Sequence, residues 1–86
     1  MDARIRVAWN LRRLRVEREL SQEALAVDAG VDRSYISGIE NGTFNPTVDV
    51  LDRFAAALSV DVSEFLSVPS AGSREPKPLR SGRRAR

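Results

Sequence analysis

Residues 22–41 read QEALAVDAGVDRSYISGIEN. Two short apolar-periodic runs flank a single glycine: Leu25, Ala26 and Ala29 before it, Ile36 and Ile39 after it. Gly30 suits a tight turn that needs positive φ. Val31 follows as an apolar plug, and Asp32 can N-cap a second helix. With Gln22 as the first position, apolar or small residues fall at the fourth, fifth, eighth, tenth, fifteenth and eighteenth positions, and Gly at the ninth. Ala26 has to be small because the second helix crosses close over it.

This pattern reads as a helix-turn-helix. Working outward, helix 1 is expected from Ala3 to Glu19, with Val7, Leu11 and Leu14, together with Ile5 and Ala8, at helical spacing. Trp9 falls off that stripe, as a partly buried surface cap. Ser21 is the expected N-cap of helix 2, which ends at Ala29. Helix 3 runs from Arg33 to about Asn41, and Gly42 ends it as a C′ glycine. Thr47 caps helix 4, whose buried stripe is Leu51, Phe54, Ala55 and Leu58. Asp61-Val62-Ser63-Glu64 matches a capping box for helix 5, with Phe65, Leu66 and Val68 on its apolar side. The sequence therefore predicts an all-α, compact five-helix domain over residues 1–68.

Residues 69–86 are rich in Pro, Gly, Ser and Arg and offer no core, so they read as a disordered basic tail. Six of the 14 basic residues lie there, with one acid, Glu75. Residues 1–68 keep eight basic against eleven acidic residues, a net of −3. The high pI thus comes from the tail, and any nucleic-acid face must arise from local arrangement. The tail arginines either add salt-sensitive phosphate attraction or are simply solvated.

The 86 residues allow one small domain. With no Cys and no His, neither a disulfide framework nor the commonest catalytic and metal-binding side chains are present. No Gly-rich phosphate loop or Ca-loop spacing appears, so no enzyme, metal, cofactor or small-molecule ligand is expected. There is no apolar stretch long enough to span a membrane and no signal-peptide pattern, so the expected location is cytoplasmic.

Several motifs together carry a family resemblance. They are Arg15 late in helix 1, S-Q-E-x-L-A at Ser21, I-x-x-I-E-N-G from Ile36, and A-x-A-L-x-V from Ala55. The sequence over roughly residues 4–67 resembles the Cro/phage-repressor type of helix-turn-helix, the XRE family. DRSYISGIENG is also similar to the matching stretch of restriction–modification controller proteins. The resemblance implies a five-helix domain that binds a double-stranded DNA operator as a homodimer and regulates transcription. By position it implies base contacts from Arg33, Ser34, Ser37 and Gly38, and phosphate contacts from Gln22, Asn41 and Thr43. Arg15 and Glu40 match a partly buried ion pair in many relatives.

The residues can also be read without the family. Turning Val31, Ile36 and Ile39 inward leaves Arg33, Ser34, Ser37 and Asn41 outward. Arg33 is the one cation on that face, suited to guanine O6 and N7, or else an exposed neighbour of Asp32. Ser34 and Ser37 fit phosphate or water better than a base. Tyr35 reaches a phosphate or thymine methyl, or packs on the fold. Gly38 either admits close approach to DNA or relieves crowding. Gln22 sits where helix N–H groups favour a phosphate; Asn41 and Thr43 are phosphate donors or plain loop residues. Two recognition helices about 34 Å apart give usable specificity, which calls for a dimer. Val60, Val62, Phe65 and Val68 are the candidate interface, unless the core itself uses them. The rival reading is an antitoxin or adaptor that binds a protein through helices 4 and 5.

Overall fold

The computed structural model describes residues 2–68; the proposed tail, 69–86, lies outside the described residues. Four α-helices follow in order: α1 (Ala3–Glu17), α2 (Gln22–Ala29), α3 (Arg33–Glu40) and α4 (Val48–Leu58). A 3₁₀ helix, Val62–Leu66, closes the fold.

Three helices begin on a side-chain cap. Asp2, Ser21 and Thr47 each accept from the backbone N–H three residues on, at 2.9, 2.9 and 3.1 Å. Asp32 occupies the N-cap position of α3 but makes no side-chain cap bond. The ends of α2 and α3 follow the glycines: Gly30 and Gly42 stand at φ 72° and 84°, a region that costs Gly little. Helix α1 stops at Glu17, two residues short of the expected Glu19. Glu19 turns left-handed at φ 56°, and Leu20 N–H donates to Arg15 O at 3.0 Å. That reversal brings Leu20 back onto the core.

The expected fifth α-helix is a 3₁₀ helix instead. Asp61 Oδ2 accepts from Ser63 N–H at 2.9 Å, two residues on, so the capping box does not form. A five-residue segment started by so tight a turn winds with i→i+3 bonds.

The core draws on every element: Leu11 from α1, Leu25 from α2, Ile36 and Ile39 from α3, Phe54 and Leu58 from α4, and Phe65 from the 3₁₀ helix are fully buried. Phe65 therefore leaves the candidate dimer surface. It is the plug between α1 and α4, and truncating such a buried aromatic costs about 3–5 kcal/mol. Ile5 is not in the stripe but half-exposed, while Trp9 is partly buried.

Asn10 escaped the sequence reading. It is 1% exposed, and its Nδ2 donates to Phe65 O at 3.0 Å and Ser67 O at 2.8 Å. Arg6 Nη1 adds a bond to Leu66 O at 3.2 Å. These two α1 side chains satisfy the carbonyls at the end of the 3₁₀ helix, which has no following turn to do so.

Candidate nucleic-acid interface

The turn between α2 and α3 fixes the angle of α3. Val31 N–H donates to Ala26 O at 3.0 Å, folding the chain back over α2. Ala26 is 2% exposed beneath that crossing. Ile36 and Ile39 then anchor α3 from below, and the opposite side of α3 faces solvent.

Arg33 and Ser34 stand exposed on the first turn, Ser37 is half-buried on the next, and Asn41 is exposed at the end. Among the described residues Arg33 makes no ion pair, with Asp32 or any other acid. Tyr35 is half-buried on the flank of α3.

Gly38 is where the structure departs from the expected base-contacting set. It is buried although it lies on the outward side, about 40° round the helix axis from Ser34 and 60° from Asn41. The Phe44 ring covers it: a Cβ at residue 38 would come within 2.3 Å of Phe44 Cδ2. Crowding by this ring accounts for the absence of a side chain at residue 38. The ring also packs against Tyr35, with centroids 5.8 Å apart and planes tilted by 32°. Phe44 N–H and Thr43 N–H both donate to Gly38 O, at 3.1 and 2.9 Å, so the loop is folded back on the helix.

Thr43 is consequently occupied. Its hydroxyl lies 2.7 Å from Asn41 Oδ1 and 3.1 Å from Gly38 O, and its N–H also reaches Asn41 Oδ1. Thr43 is exposed and closes the loop through these bonds. Asn41 is exposed and spends its side-chain carbonyl on Thr43.

Beneath this face lies an ion-pair cluster. Arg15 Nε donates to Glu40 Oε2 at 2.7 Å and Arg15 Nη2 to Glu40 Oε1 at 2.9 Å, a bidentate pair joining α1 to α3. Both residues are buried, at 3% and 7% exposure. Arg12 Nε (3.3 Å) and Gln22 Nε2 (3.2 Å) also reach Glu40 Oε1. The Gln22 side chain thus faces Glu40, so a phosphate at this end of α2 would meet the first-turn backbone N–H groups.

Arg33, Ser34, Ser37 and Asn41, expected on one face, lie together on the outward side of α3. The residue pattern did not reveal Phe44, the Arg12 and Gln22 contacts to Glu40, or Asn10. A glycine inside a helix followed six residues later by an aromatic residue was the available signal for Phe44. Nothing in residue spacing pointed to Asn10. Of the surface apolar residues proposed for dimerisation, Val62 and Val68 are exposed and Val60 is half-buried against the core. Leu66, not in that set, is exposed beside them. No cluster of metal-binding side chains occurs among the described residues, and none of their helices is long and apolar enough to cross a membrane.

Known proteins match this architecture. A Neisseria meningitidis serogroup B protein described as a hypothetical transcription factor is 38% identical over 68 residues, covering 79% of this chain and 64% of its own length. A crystal structure of a hypothetical transcription factor from Neisseria superposes with a TM-score of 0.76 at 38% identity, covering 79% and 78% of the two chains. Control protein C.MunI from a Mycoplasma species is 40% identical over 67 residues, 77% of this chain and 90% of its own. The restriction-modification controller protein C.AhdI from Aeromonas hydrophila superposes with a TM-score of 0.70 at 37% identity, covering 72% and 94%. The chain spans just under two thirds of the neisserial protein, while it spans most of both controllers. The helix-turn-helix family model HTH_3 matches residues 11–65, from within α1 into the 3₁₀ helix. The chain belongs to this helix-turn-helix family.

Proposed function

We propose that this protein is a transcription regulator that binds an operator in double-stranded DNA as a homodimer, with α3 in the major groove. The observation that carries the reading is the outward face of α3. There an unpaired arginine, two serines and Asn41 line a ridge supported from below by Ile36, Ile39 and the Arg15–Glu40 pair. Arg33 supplies bidentate contacts to a guanine, while Ser34 and Ser37 make adaptable contacts to bases or phosphate. Tyr35 and Asn41 hold phosphates on either side, with the α2 N-terminus as a third anchor. The similarity to a hypothetical transcription factor and to two controller proteins supports this reading. The cytoplasm is the compartment in which such a regulator meets DNA.

The homodimer pairs the apolar surface of the 3₁₀ helix and the residues after it, where Val62, Leu66 and Val68 lie exposed, with the same surface of a second copy. The net −3 of residues 1–68 makes contact geometry, rather than bulk charge, the source of affinity.

A mobility-shift titration on genomic fragments tests the reading. Wild type should shift a discrete fragment at moderate salt. Arg33→Ala should weaken it by about tenfold or more, the worth of one bidentate base contact. No shift of any fragment at low salt would favour the protein-binding adaptor. Leu66→Glu should convert the dimer to monomer in analytical ultracentrifugation; a wild-type monomer at tens of micromolar would remove the dimer.

A further inference from the structure

The outward face of α3 has an aromatic member contributed by the loop that follows it. Residue 38 lies on the outward side, about 40° round the helix from Ser34, and Ser34 and Asn41 on that side are both exposed. Gly38 itself presents nothing, because the Phe44 ring lies over it. The ring is not swallowed by the core: Phe44 is 44% exposed, one of seven large apolar residues open to solvent among the described residues and the only aromatic one of them. Its backbone is pinned to Gly38 O and its ring to Tyr35, so it is held rather than mobile. An apolar side chain at this place on a groove-reading helix cannot donate or accept. It can only bury another apolar group, and the major groove carries one, the C5 methyl of thymine.

We propose that Phe44, seated on Gly38, is a specificity-determining residue that reads a thymine methyl in the operator. The proposal rests on the DNA-binding reading above and adds the base class recognised at this position. Gly38 and Phe44 act as a unit: absence of a Cβ at one residue lets the ring of the other stand where a side chain of α3 would otherwise reach the base. Arg33 at the start of α3 and Phe44 over its second turn would then select a guanine and a thymine on the same half-site.

The test begins with a duplex selected from a randomised pool by the wild-type chain. Each thymine is replaced singly by deoxyuridine, which removes only the methyl group. Wild type should lose about fourfold in affinity at one thymine of each half-site, the loss expected for one buried methyl. Phe44→Ala should bind the thymine and deoxyuridine duplexes equally at that position. Phe44→Gln, whose stem still covers Gly38, should behave the same way and separates a lost contact from a disturbed loop. As a readout that needs no variant, 5-bromodeoxyuridine at that thymine should photo-crosslink to Phe44. A methyl dependence that persists in both variants, the absence of any methyl-sensitive thymine, or crosslinking to a different residue overturns the proposal while leaving DNA binding intact. Failure to select any sequence removes the DNA-binding reading as well, so the two failures are distinguishable.

Discussion

Replacing Glu40 by Leu should be among the most damaging single changes in this fold. Glu40 gathers four N–H donors: Nε and Nη2 of Arg15, Nε of Arg12 and Nε2 of Gln22. Without it, Arg15 keeps only Leu20 O, at 2.8 Å, as partner for a buried guanidinium. Stranding a buried charge in this way costs about 3–5 kcal/mol. The total stability of a fold this small is on the order of 3–10 kcal/mol. Arg15→Met should cost less, because Arg12 and Gln22 remain on Glu40 and the Met stem keeps much of the packing. The double variant Arg15→Met with Glu40→Leu should recover to within about 1 kcal/mol of wild type, since a buried ion pair gains little over apolar groups of similar volume. Urea denaturation of the four proteins reads this directly, as midpoint shifts at constant slope of about 1 kcal/mol per molar or somewhat more. If Glu40→Leu unfolds at the wild-type midpoint, the pair is not desolvated as argued. If the double variant is as unstable as the two singles summed, the damage comes from lost packing and not from a stranded charge.

Asn10→Ala leaves the carbonyls of Phe65 and Ser67 without their donor and should cost about 2 kcal/mol, two ordinary hydrogen bonds' worth; a loss below about 0.5 kcal/mol in chemical denaturation would mean that water replaces the amide. Gly38→Ala should be stabilising by about 1 kcal/mol in a Phe44→Ala background, the helix propensity difference, and should lose that gain where the wild-type ring must be displaced. Equal effects in both backgrounds would deny that the two positions are coupled. The Asp61 carboxyl is held below its ordinary value of 3.8 by hydrogen bonding from the Ser63 side chain and then from the Ser63 backbone N–H. A lowered folded value means that this turn's contribution is present above the ordinary carboxylate range and fades as pH falls through the lowered value. NMR titration should therefore find Asp61 still ionised at pH 3.8, and a midpoint at or above that value would contradict the bond.

The sequence displayed the helices because their signals are local. Ser21 and Thr47 announce helix starts, Gly30 and Gly42 the ends, and the Leu51, Phe54, Ala55 and Leu58 stripe the buried face of α4. What stayed hidden depends on contacts between elements. Whether Phe65 faces the core or a partner stays open in the sequence, because the 3₁₀ helix around it is too short for periodicity to reveal a face. Gly38 looked available to DNA because the ring that covers it comes from a loop six residues away. Asn10 and Arg6 look like ordinary polar positions of α1 until the carbonyls of residues 65–67 are placed beside them. The Arg15–Glu40 pairing was visible only through the family resemblance, whereas the extra donors from Arg12 and Gln22 needed coordinates.

In the proposed complex the outward edge of α3 enters a DNA major groove with Arg33 on a guanine. Methylation interference at guanine N7 tests it most directly, on the duplex selected by the wild-type chain. N7-methylated guanines in two half-sites about one helical turn apart should block wild-type binding, whereas Arg33→Ala should bind more weakly and no longer distinguish the methylated guanines. Interference that is unchanged by Arg33→Ala, or found only with minor-groove adenine N3 methylation, would contradict it.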